Sequence, residues 1–137
     1  MTVAVAHQVS PTTERALTEA AREASFRDTR LAVIHVVDSL DNDIAAANEA
    51  GISDAVQKVL AGAGLAQVPW DLHLVAGGTE IADVAAAVLE QVGHVAPDLL
   101  VIGARRRSPM GKAFLGSVAQ ILILESDIPV LVVKSGK

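Results

Sequence analysis

Five short aliphatic runs, each followed or preceded by a helical stripe, limit what this chain can fold into more than any other feature. "VAVAH" (Val3–His7), "LAVIHVV" (Leu31–Val37), "DLLVIG" (Asp98–Gly103) and "PVLVV" (Pro129–Val133) are nearly continuous in apolar residues, and "WDLHLVA" (Trp70–Ala76) is a weaker fifth. A strand with one wet face alternates polar and apolar residues. A run without that alternation belongs to a strand covered on both faces, as in a parallel sheet.

The segments between the runs supply the cover. Thr79–His94 carries Ile81, Val84, Ala85, Val88, Leu89 and Val92 at helical spacing. Ser10 and Pro11 open an earlier helix with a cap residue and a first-turn proline, and Ala16, Leu17, Ala20, Ala21 and Ala24 follow on one face. Asp41–Leu65 places Ile44, Ala47, Ile52, Val56 and Val59 in a helical pattern, with Gly51 and Ser53 as an expected break. "AGAGLAQVP" (Ala61–Pro69) reads as a connector. The alternation predicts an α/β fold: a single doubly wound domain over residues 1–137, with a five-stranded parallel sheet and helices on both faces.

The composition agrees and excludes several chemistries. Hydrophobic residues make up 51% but aromatics only 2%, so Ala, Val, Leu and Ile fill the core and little is left to stack on a flavin. There is no cysteine, which removes disulfides, thiolate metal sites and cysteine nucleophiles. A formal net charge of -5 argues against a nucleic-acid partner. The start "MTVAVAHQVSP" lacks the basic flank and long apolar core of a signal peptide, and no apolar stretch approaches the ~18 residues of a membrane span. The expectation is a soluble cytoplasmic protein with no membrane partner.

In doubly wound sheets, ligands sit beyond the carboxyl ends of the strands, where strand order reverses. The residues to inspect are therefore His7-Gln8, Val36–Asp38, Gly77-Gly78 and the stretch after Ile102. That stretch, "VIGARRRSPMGKAFLGSVAQ" (Val101–Gln120), gathers Arg105, Arg106, Arg107 and Lys112 among Gly103, Gly111 and Gly116. Glycines admit close backbone approach to an anion. Ser117 is placed to cap a helix whose start carries about half a positive charge. Guanidinium groups add phosphate donors. An arginine-rich, solvated connector would look the same. The P-loop pattern fails, because Arg106 stands where its first glycine belongs and Ala113 follows Gly111-Lys112.

The run "DLLVIGARRRSPMGKAFLGSVAQ…DIPVLVVK", with "AVAHQVSPTTERAL" and "LAVIHVVD", resembles the universal stress protein family over essentially the whole chain. The nucleotide-binding members of that family carry G-x-x-G-x9-G-[ST] at this place. The resemblance implies a five-stranded parallel sheet binding ATP or AMP, with or without magnesium, at its carboxyl edge. By position it implies ribose and phosphate contacts from Gly103, Gly116 and Ser117, further helix-start contacts from Val118, and an adenine contact from the Val36 backbone. Two positions depart from the pattern. Arg106 replaces the second motif glycine, and Gln8 replaces an aspartate that contacts the nucleotide. A side chain forced into a left-handed backbone costs ~1–2 kcal/mol, while a charge-assisted bond from Arg106, or its neighbour Arg105, to phosphate returns ~1.5–3 kcal/mol. The terms are of similar size, so a nucleotide-free interaction protein of the same family stays open as the alternative.

No catalytic set is legible. Ser108 and Ser117 are the hydroxyls nearest the expected phosphates, and a slow ATPase or self-phosphorylating protein is a third reading. His7, His35 and His73 fall on three strands but lack ligand spacing, so they read as core or paired residues and no metal site is expected. Asp38 reads as a turn residue, and Glu80 and Asp83 as carboxylates suited to a helix start. "ILIL" (Ile121–Leu124) makes the last helix apolar on more than one face, pointing to unusual burial or a partner. The last strand would lie at a sheet edge, and the resemblance implies a homodimer through Pro129–Val133, assisted by Ile123 or Leu124.

Overall fold

The computed structural model describes residues 2–7, 11–37, 42–77, 80–105 and 116–135. Among them the order is β1 (Thr2–His7), α1 (Pro11–Phe26), β2 (Arg30–Val37), α2 (Asn42–Gly62), β3 (Trp70–Ala76), α3 (Ile81–Val95), β4 (Leu99–Arg105), α4 (Ser117–Glu125) and β5 (Val130–Ser135). The strands form one five-stranded sheet in the order β3-β2-β1-β4-β5, and every neighbouring pair is parallel. The α/β expectation holds.

Strand parity explains the absence of alternation in the sequence. Val3, Val5, Leu31, Val33, Leu99 and Val101 pack on one side against Ala16, Leu17 and Ala20 of α1 and Ile52, Val56 and Leu60 of α2. Their neighbours Ala4, Ala32, Ile34, Leu100 and Ile102 pack on the other side against Ala85, Val88 and Val92 of α3 and Leu122 of α4. Both parities are buried, so both must be apolar.

Several boundaries differ from the sequence reading. α2 runs unbroken through Gly51 and Ser53. Gly51 costs the helix ~1 kcal/mol relative to alanine, whereas Ile52, Val56 and Leu60, one turn apart, are all buried and each contributes ~1.5–3 kcal/mol. The connector accordingly starts after Gly62 rather than at Ala61. β4 continues past Gly103, because Gly103, Ala104 and Arg105 pair with Val133, Lys134 and Ser135 of β5. Finally, β5 begins at Val130; Pro129 has no N–H to give, but its carbonyl accepts from Leu100 N (3.0 Å).

Among the described residues β5 is an edge strand, paired only with β4. On α4, Leu122 is buried, but Leu124 is 83% exposed, so unusual burial does not account for the "ILIL" run.

Candidate functional site at the carboxyl edge of the sheet

Since all five strands are parallel, His7, Val37, Ala76, Arg105 and Ser135 end at the same edge. From β1 the chain proceeds outward to β2 and β3 on one flank, and to β4 and β5 on the other. The order therefore reverses between β1 and β4, which is where a ligand crevice is expected.

Gly103 lies two residues inside the end of β4, and Arg105 is the last residue of that strand. Val36 lies on β2, half-buried and paired with Val75 of β3. Gly103 and Val36 are thus two strands apart, about 10 Å at ~4.8 Å per strand, with β1 between them. Gln8, Asp38, Gly78, Arg106, Arg107, Ser108, Gly111 and Lys112 lie outside the described residues.

Gly116, Ser117 and Val118 gather at the start of α4. Ser117 is the first helical residue, so the cap position falls to Gly116 and not to the serine hydroxyl expected there. Gly116 has no side chain to accept a hydrogen bond, and the first helical N–H with an intrahelical acceptor is that of Gln120, on Gly116 O (3.0 Å). The amides of Ser117, Val118 and Ala119 are the orphan donors of a helix start, where the macrodipole favours an anion. The backbone does not demand glycine at 116: its φ of -64° and ψ of 160° suit any residue. Among the described residues, no atom lies within 4 Å of where a Cβ would be.

Gly77 is different. Just past β3, it donates its N–H to Val37 O at 3.0 Å. A Cβ there would stand 2.6 Å from Val36 Cγ1 and 3.0 Å from Ala87 Cβ. The Gly77 backbone therefore runs close enough to Val36 to leave no room for a side chain.

Sequence reasoning missed one further feature. His7 and His35 are register partners on β1 and β2, and their Nδ1 atoms approach to 3.1 Å with ring centroids 5.3 Å apart. One ring must donate and the other accept. His7 is buried, and that burial, with the His35 ring next to it, pulls its pKa from 6.5 down to about 4. Burial also lowers His35, with a hydrogen bond from its ring to the His7 main-chain carbonyl acting in the opposite sense. Both rings are neutral at neutral pH. His73 stands apart from them, accepting from the Gln91 amide at Nδ1 (3.0 Å). Among the described residues, no group of three or more His, Asp or Glu is placed to hold a metal ion, and no helix is long and apolar enough to cross a membrane. An open groove of about 680 Å³ lies between α1 and α2, lined by Arg15, Thr18 and Lys58 among others.

The family model described as "Universal stress protein family" matches residues 1–134. A universal stress protein of Mycolicibacterium smegmatis is 34% identical over 132 residues, covering 96% of each chain. Among solved structures, a universal stress protein from Archaeoglobus fulgidus superposes with a TM-score of 0.73 at 27% identity, again over 96% of each chain. A structure of the universal stress protein from the same organism in complex with dAMP matches with a TM-score of 0.65 at 26% identity, covering 96% of this chain and 94% of that one.

Proposed function

The chain belongs to the universal stress protein family, and on that premise we propose that it is a single-domain cytoplasmic regulatory module that binds an adenine nucleotide, ATP or AMP, across the carboxyl edge of its sheet. The observation that carries this reading is the start of α4. Three amides without intrahelical acceptors sit behind a glycine that neither its own backbone nor the packing of the described residues requires, and a close-approaching phosphate would supply both acceptor and reason. The distance from Val36 on β2 across β1 to Gly103 on β4 suits a nucleoside lying over the edge better than a lone phosphate. The relative in complex with dAMP supports an adenylate as the ligand class.

In this reading the Val36 main chain meets the base, Gly103 admits the ribose, and the amides of Ser117 and Val118, with the Ser117 hydroxyl, hold the phosphates. Gln8, Arg105 and Arg106 complete the contacts, the two arginines balancing phosphate charge with or without magnesium. No residue here is assigned a catalytic step. Isothermal titration with ATP, ADP, AMP and cyclic AMP, with and without Mg²⁺, tests the reading: saturable binding is expected for at least one, and the absence of heat with all of them refutes it.

We also propose a homodimer in which β5, Pro129–Val133, pairs with its twin. Among the described residues its outer edge carries no partner strand; Leu131 on β5 is 36% exposed and Leu124 on α4 83%. This arrangement also serves the second reading, a nucleotide-free interaction protein. Sedimentation should give a dimer at micromolar concentration; a monomer there overturns the interface.

A further inference from the structure

We infer that the hydrogen bond between the His7 and His35 imidazoles is a positioning device for the nucleotide site, fixing the Val36 main chain against the crevice between β1 and β4. The inference rests on the nucleotide reading above.

The β1–β2 ladder runs from Thr2↔Arg30 to His7↔His35 and has no described rung beyond it. Val36 and Val37 follow directly on that rung and pair with Val75 and Ala76 of β3. On the β3 flank they are held to the end, since Gly77 N–H reaches Val37 O and the Gly77 backbone passes so close to the Val36 side chain that a Cβ there would stand 2.6 Å from it. On the β1 flank the last link among the described residues is the Nδ1···Nδ1 contact of 3.1 Å, one residue before Val36. Val36 and Gly103 sit on strands either side of β1, so whatever ties β2 to β1 at this rung sets the spacing between the base contact and the ribose and phosphate contacts.

The chemistry suits a locating role. A neutral N–H···N bond between two rings, each with only two side-chain torsions, is directional and leaves little slack. Burial keeps both rings uncharged at neutral pH, so the donor–acceptor match persists there. The bond joins residues 28 apart in sequence, and it ties the side chains of the two strands where the backbone ladder ties only their main chains.

The test is AMP affinity measured by isothermal titration at pH 7.5, beside thermal melting of each variant. His7→Leu should weaken AMP binding roughly five- to tenfold, at most the worth of one net hydrogen bond. His7→Asn, whose amide offers donor and acceptor near the Nδ1 position, should stay within about twofold of the wild type. His35→Leu should lose the same factor, and the double variant His7→Leu/His35→Leu no more than either alone, because one interaction is removed in all three. Should His7→Leu not fold, His35→Leu at the more exposed ring carries the same expectation. A folded leucine variant that binds AMP as the wild type does, or losses that multiply in the double variant, overturns the positioning role and leaves the nucleotide reading intact. A wild-type protein that binds no adenine nucleotide overturns both.

Discussion

Acid should unfold this protein earlier than its carboxylates alone would, and His7 is the reason. Its imidazole is buried in the native state and exposed when the chain unfolds, so its pKa is about 4 in the first and close to 6.5 in the second. The folded form thus holds fewer protons than the unfolded form throughout that interval, and stability must rise with pH across it. The contribution is complete above 6.5 and disappears as pH falls to 4. The full gap corresponds to ~3 kcal/mol at ~1.4 kcal/mol for each tenfold change in proton affinity, and ~2 kcal/mol of it is already lost at pH 5. His35, lowered in the same direction, adds to the effect. Urea unfolding followed by the fluorescence of Trp70, the chain's single tryptophan, gives the stability at pH 7.5, 6.5, 5.5 and 5.0. His7→Leu should flatten the slope between 6.5 and 5.0 by ~2 kcal/mol, leaving whatever the carboxylates and His35 contribute. Parallel curves for wild type and variant would refute the argument, because the His7 proton would then not be coupled to folding.

Two substitutions far from the edge test the energetics of the frame. Ala96 closes α3 in a left-handed conformation, φ 52° and ψ 55°, with its N–H on Val92 O; Ala96→Gly should therefore stabilise by ~0.5–1 kcal/mol, seen as a higher urea midpoint. Arg30 and Asp71 form a two-pronged pair at 3.0 and 2.9 Å with both side chains 54% exposed; Arg30→Ala should cost less than ~1 kcal/mol despite that geometry.

The layers of the fold were legible because the pattern records burial, and burial of both strand faces leaves an unmistakable absence of alternation in Val3–Val5, Leu31–Ile34 and Leu99–Ile102. What the pattern does not record is which strand lies beside which. The contact between His7 and His35 follows from β1 sitting next to β2 in a given register, and nothing local in "VAVAH" or "LAVIHVV" states that register. The break expected at Gly51 failed for a related reason: propensity is a property of the residue, whereas the stripe of Ile52, Val56 and Leu60 draws on a sheet assembled from distant segments. Leu124 presents the converse case. Its apolar character was plain, but only the packed helix shows that it faces away from the core.

The glycines carry the argument about the site furthest. In the sequence, Gly77 and Gly116 look alike, each near a strand or helix end at the expected ligand edge. In the fold they differ in kind. At Gly77 a methyl would stand 2.6 Å from Val36 Cγ1 and 3.0 Å from Ala87 Cβ, so packing itself excludes a side chain. At Gly116 the described residues leave that volume open and the backbone is extended. If the nucleotide reading is right, Gly116 is a glycine for the ligand's sake and Gly77 one for the protein's. Gly77→Ala should then destabilise by ~1–3 kcal/mol, the usual consequence of overpacking. Gly116→Ala should change stability by less than ~1 kcal/mol, within the difference between glycine and alanine as helix caps, while weakening AMP binding at least tenfold as the methyl meets the incoming phosphate. Urea titration and calorimetry on the two variants separate the roles. An alanine at 116 that leaves AMP affinity untouched would mean that the amides behind it hold no phosphate, and the site would have to be sought elsewhere along the edge.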